Sequence, residues 1–161
     1  MELLELALSM ELDLEKFYTE QAELNKGNTL SVVFKMLAKE EGNHANILMV
    51  KADKLTLPSN DSNILDDVQS IFKNVEEIKS DLYDMPTQLD VYREALEKEQ
   101  QSLKFYQELH DKASEEQSKK VFQYLIDQED KHCIILEELV KLVSRPEEWV
   151  EDAEFGRREP Y

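Results

Sequence analysis

One cysteine, three glycines and four prolines are all that this chain has of the residues that staple or punctuate a fold. The lone cysteine, Cys133, excludes an internal disulfide and any Cys-x-x-Cys metal or redox centre. Scarce Gly and Pro beside abundant Leu, Glu and Lys, with no alternating β-branched runs, exclude a sheet protein and imply an all-α chain. No apolar run is long enough to span a membrane. The opening Met1-Glu2-Leu3-Leu4-Glu5 lacks the basic and apolar regions of a signal peptide. Positive charge is also short, with 19 Lys and Arg against 36 Asp and Glu and a net charge of −17. Nucleic acid or an anionic membrane surface would be repelled. The expectation is a soluble cytoplasmic protein whose length suits one core.

What is present is helical periodicity. The first helix is expected to run from the N-terminus to about Asn25, ending at Lys26-Gly27-Asn28, where Gly suits a left-handed position. A second helix, capped by Asn28 or Thr29, is expected to reach about Leu55, before Thr56-Leu57-Pro58. Ser59-Asn60-Asp61-Ser62-Asn63 reads as a loop. Ile64, Leu65, Val68, Ile71, Phe72, Val75 and Ile78 form the stripe of a shorter helix. A third long helix follows Asp84-Met85-Pro86-Thr87 and runs to about Ala113, and a fourth, capped by Ser114, ends near Ser144-Arg145-Pro146. Short links make each long pair an antiparallel hairpin, and the crossover from about 56 to about 86 can travel the length of a bundle. Residues 1–145 are thus expected to form one four-helix bundle. The aromatics Trp149, Phe155 and Tyr161 imply that the tail 146–161 docks on the bundle or on a partner subunit.

The chain repeats itself. With Ala7 laid on Ala95, Glu11, Phe17 and Tyr18 fall on Glu99, Phe105 and Tyr106. In the following helices Phe34, Leu37, Glu41, His44 and Leu48 fall on Phe122, Leu125, Glu129, His132 and Leu136. Leu4, Ala7, Glu11, Leu14 and Tyr18 step by three and four along a core stripe, as do Ala95, Glu99, Ser102, Tyr106 and Leu109. Four carboxylates and two imidazoles therefore stand where apolar side chains belong, near mid-helix.

Buried carboxylates in one layer repel one another and lose their hydration, so something must compensate. Two divalent cations would neutralise four such charges, and each imidazole offers a neutral nitrogen ligand. Residues three apart share a helix face, so Glu41 with His44, and Glu129 with His132, can each grip one region of a shared site. Oxygen-rich ligation with one nitrogen per metal suits iron or manganese better than structural zinc. Glutamate is so abundant that one Glu-x-x-His alone would mostly mark a solvated face; two in register on core stripes carry far more weight.

These paired Glu-x6-Tyr…Glu-x-x-His motifs resemble the ferritin-like di-iron carboxylate superfamily, and within it the rubrerythrin-type erythrins. The resemblance covers the four long helices and implies a ferritin-like bundle of two hairpins with one long crossover. It implies two iron ions, with manganese admissible in either position. Glu11 and Glu99 would be terminal ligands, Glu41 and Glu129 bridging carboxylates, and His44 and His132 one ligand per metal. Tyr18 and Tyr106 would donate hydrogen bonds to carboxylates on neighbouring helices, though either residue also suits an ordinary core position. Two departures stand out. Ser102 lies one turn after Glu99, where rubrerythrins usually carry a further glutamate, and the four-cysteine rubredoxin domain is lacking, so electrons would come from a separate donor protein.

Other polar residues carry weaker signals. Glu40 and Gln128 either orient His132 and His44 across the bundle or are simply exposed. His110 reads as a surface residue and Cys133 as a small buried filler. Glu94 and Glu97 read as solvent-facing, or as an aid to metal entry. The resemblance implies a redox enzyme reducing hydrogen peroxide or dioxygen. Rival readings are an iron-binding or ferroxidase protein for storage or transfer, and a bundle in which metal only holds the fold. A homodimer is compatible with the fold by analogy alone.

Overall fold

The computed structural model describes residues 2–50, 54–58, 62–73 and 88–155, with side chains described to residue 144. Among the described residues there are five helices and no strands: α1 (Glu2–Leu24), α2 (Leu30–Leu48), α3 (Ile64–Phe72), α4 (Leu89–Lys112) and α5 (Glu116–Phe155). α1 pairs with α2 and α4 with α5 through short connections, α1 lies beside α4, and the crossover helix α3 packs on α5 and touches α2. This is the helical bundle expected from the two hairpins and the crossover. No helix among the described residues is long and apolar enough to cross a membrane.

The turns follow local chemistry. Gly27 has φ 94°, a left-handed conformation that costs an L side chain but not glycine. Thr29 is the N-cap residue of α2 but makes no side-chain cap bond; the side-chain acceptor there is Asn28, whose Oδ1 takes the Leu30 N–H at 3.0 Å. The chain before α5 places the first helical acceptor on Glu115, whose carbonyl takes the Lys119 N–H at 3.1 Å, one residue beyond Ser114.

Two helix ends differ from expectation. α2 stops at Leu48, with the Met49 N–H closing on the Ala45 carbonyl. Leu55 is buried, but it lies outside any α-helix, so its burial needed no helical spacing. α5 does not stop near Ser144; it runs through Pro146 to Phe155. Proline removes one N–H donor and crowds the preceding turn, which weakens a helix without always ending it, and Glu147 and Glu148 are good helix formers. The expected docking of the tail 146–161 concerns side chains outside the described residues, as do Val75 and Ile78.

Among the described residues, apolar side chains gather in two clusters rather than one. The first contains Leu14, Tyr18, Leu30, Phe34, Leu37 and Leu139, along with Val68 and Phe72 of α3. Inside it Phe34 stacks on Tyr18 at 6.2 Å and tilts against Tyr92 at 5.5 Å. The second contains Leu4, Ala7, Leu48, Tyr106, Leu109, Phe122 and Leu125. Fully burying each Leu or Phe contributes about 1.5–3 kcal/mol. Between the clusters lies a polar layer.

Candidate metal centre

Mid-helix positions on the core stripes of four helices supply that layer. α1 contributes Glu11, α2 Glu41 and His44, α4 Glu99, and α5 Glu129 and His132. Each is almost wholly removed from solvent, at 0% exposure except His44 at 2%. Their ligand atoms form two groups, Glu11–Glu41–His44–Glu129 and Glu41–Glu99–Glu129–His132, with the atoms of each group within 4.8 Å of one another. Glu41 and Glu129 belong to both groups. Each remaining glutamate and histidine belongs to one.

Both imidazoles turn Nδ1 toward the carboxylates. His44 Nδ1 lies 3.1 Å from Glu11 Oε2 and 3.0 Å from Glu129 Oε1. His132 Nδ1 lies 2.6 Å from Glu41 Oε1. It also approaches Glu99 Oε2 at 3.0 Å, a close ion-pair contact without hydrogen-bond alignment. The two rings stack 5.5 Å apart. Burial and then the neighbouring charge of Glu11 push Glu41 and Glu129 well above the usual carboxylate range. Burial also acts to raise Glu11, but hydrogen bonding with Glu41 and the charge of His44 overcome it and hold Glu11 at about 2. His132 is pulled down by burial yet raised by Glu99 and Glu40 to about 10. The layer thus retains protons to offset its own repulsion.

The donor set fits a pair of divalent cations. Glu41 Oε2, Glu129 Oε2 and both oxygens of Glu99 are buried without a hydrogen-bond partner. Such orphaned acceptors are costly unless a cation or proton faces them. Four carboxylates balance two divalent charges, and oxygen ligands with one imidazole nitrogen per position match iron or manganese chemistry.

All six residues singled out as ligands are brought together, and the two tyrosines behave differently. Tyr106 donates to Glu11 Oε1 at 3.0 Å. Tyr18 is fully buried, but the hydrogen bond expected of it is not formed: its hydroxyl has no partner. The repeat pairs it with Glu99, whose Oε2 lies against His132 instead. Glu40 is no surface bystander, since its Oε1 accepts from His132 Nε2 at 2.9 Å. Gln128 is buried as well, at 1% exposure. Glu94 and Glu97 are exposed, and His110 is half-buried. Cys133 is buried, and that burial pushes its thiol up to about 12, so it is no thiolate ligand.

Sequence reasoning placed Ser102 on the core stripe but passed over Ser62 and Lys131. The Ser102 hydroxyl is buried one turn from Glu99 without a partner. Ser62 donates through Oγ to Glu40 Oε2, and its carbonyl accepts from Lys131 Nζ at 3.2 Å. Ser62 sits in a segment whose composition reads only as loop, so its long-range role leaves no local signal.

The family model described as Rubrerythrin matches residues 2–151. No curated protein matches the chain, and no solved structure matches it.

Proposed function

The chain belongs to the rubrerythrin family, a ferritin-like di-iron family, and on that premise we propose that it is a redox enzyme reducing hydrogen peroxide or dioxygen with electrons from a separate donor protein. The observation that carries this reading is the pair of donor groups sharing Glu41 and Glu129. A bound iron pair would supply two electrons by cycling between ferrous and ferric states. For peroxide the balance is two electrons and two protons per molecule, giving two waters.

The chain's own residues do the rest. Glu11 and His44 would hold one metal, Glu99 and His132 the other, with Glu41 and Glu129 spanning both. Tyr106 fixes the rotamer of Glu11 through its hydroxyl. The apolar clusters on either side restrict water, which strengthens electrostatic interactions within the layer. Manganese in one or both positions would fit the same donors.

One observation favours iron handling as a second reading, with ferroxidase activity serving storage or transfer. Ser102 supplies no carboxylate one turn from Glu99, where the resemblance implies an additional glutamate.

The deciding experiment is anaerobic titration of the metal-free protein with ferrous iron, followed by mixing with peroxide or oxygen. A break near two equivalents and fast oxidation by peroxide support the peroxidase reading. Oxidation by oxygen with release of ferric iron supports iron handling. Absence of tight binding would sink both.

A further inference from the structure

The internal repeat sets Glu40 on Gln128, each directly before a glutamate common to both donor groups. The two halves differ here by a charge. Glu40 accepts the His132 Nε2–H at 2.9 Å, whereas the carboxylates that approach His44 within 4 Å among the described residues all face its Nδ1. Glu40 is itself held in place: Ser62 Oγ donates to its other oxygen, and Lys131 Nζ ties the Ser62 carbonyl to α5. Its outer side borders a cavity of about 280 Å³ that Lys39, Asn43, Asp67 and Tyr124 also line.

A second asymmetry points the same way. Tyr106 occupies one oxygen of Glu11, while both oxygens of Glu99 are without a hydrogen bond. A hydrogen bond to a ligand oxygen competes with a metal for its lone pairs. A carboxylate accepting the far N–H of an imidazole does the reverse and makes the near nitrogen a stronger donor.

We propose that Glu40 is a positioning residue that makes the two metal positions unequal, so that the one built on Glu99 and His132 fills first and more tightly than the one built on Glu11 and His44. This rests on the paired-metal reading. The additional negative charge behind His132 attracts the cation, the hydrogen bond fixes the ring, and the crossover loop secures both through Ser62. Loss of such a supporting partner typically weakens metal affinity by roughly 10–100-fold.

The test is a titration of the metal-free full chain with Co(II), followed by calorimetry and by the visible bands of the first and second equivalents. The wild-type protein should show two separated steps. Glu40→Gln should weaken the tighter step by roughly 10–100-fold, merging the two, because both halves then carry glutamine. Gln128→Glu should strengthen the weaker step, and it decides the matter if Glu40→Gln does not fold. His132→Ala should abolish the tight step and His44→Ala the weak one. Equal steps in the wild-type protein, unchanged affinities in both Glu40→Gln and Gln128→Glu, or loss of the tight step in His44→Ala would overturn the proposal. Fewer than two equivalents bound by the wild-type protein would instead overturn the paired-metal reading, and this inference with it.

Discussion

At the scale of single residues, identical side chains at equivalent places in the repeat do different things. Tyr106 has an acceptor in Glu11; Tyr18 has none. Tyr106→Phe should therefore cost about 1.5–3 kcal/mol, as for hydrogen bonds to charged groups, whereas Tyr18→Phe should be neutral or mildly stabilising. Urea midpoints of the metal-free variants check this, and equal losses would contradict it. Glu41 and Glu129 are the only members of both donor groups. Removing either by substitution with Ala should abolish paired binding, while Glu11→Ala or Glu99→Ala should mainly weaken one position. Metal stoichiometry by elemental analysis separates these outcomes. The six candidate ligands are legible from sequence because charge on a core stripe is anomalous in itself. The contact from Glu40 to His132 is half legible, since the repeat flags the position but not its burial. Tyr18 departs from expectation because repeat symmetry fixes helix register, not the last ångström of a carboxylate's rotamer.

At the scale of elements, hairpins, crossover and stripes can all be read from periodicity, but not where α2 and α5 end. Leu55 continues an apolar pattern into chain that is not helical, and Pro146 interrupts a helix without stopping it. Both cases show tertiary packing and flanking residues overriding a local signal. Where backbone geometry alone decides, the local signal holds. Gly27 sits at φ 94° with open space where a methyl group would point, so Gly27→Ala should cost about 1 kcal/mol through backbone strain alone. Thermal melts would detect it, and a stabilised variant would show that the turn relaxes to another conformation. Leu37, wholly buried in the first cluster, should cost about 2–5 kcal/mol on truncation to Ala.

At the scale of the whole molecule, the polar layer makes stability depend on pH in opposite senses with and without metal. In the metal-free chain Glu41, Glu129 and His132 hold protons more tightly folded than unfolded. Their contribution is complete below the unfolded values and is lost as pH rises, for His132 between 6.5 and about 10. Glu11 opposes this, its contribution fading as pH falls from 4.5 toward about 2. The melting temperature of metal-free protein should therefore drop from neutral toward alkaline pH, and Glu41→Gln should flatten the slope. A rise would refute the assignment. Metal binding displaces those protons, so loaded protein should weaken toward acid instead. The division of the described interior into two apolar clusters has a further consequence. A layer of like charges is a poor mechanical joint, and two cations gripping all four helices would rivet it. Without them, amide protons around Leu37 and around Leu125 should exchange with separate opening energies. With metal they should share one, so that the ions determine whether the bundle opens as two bodies or as one.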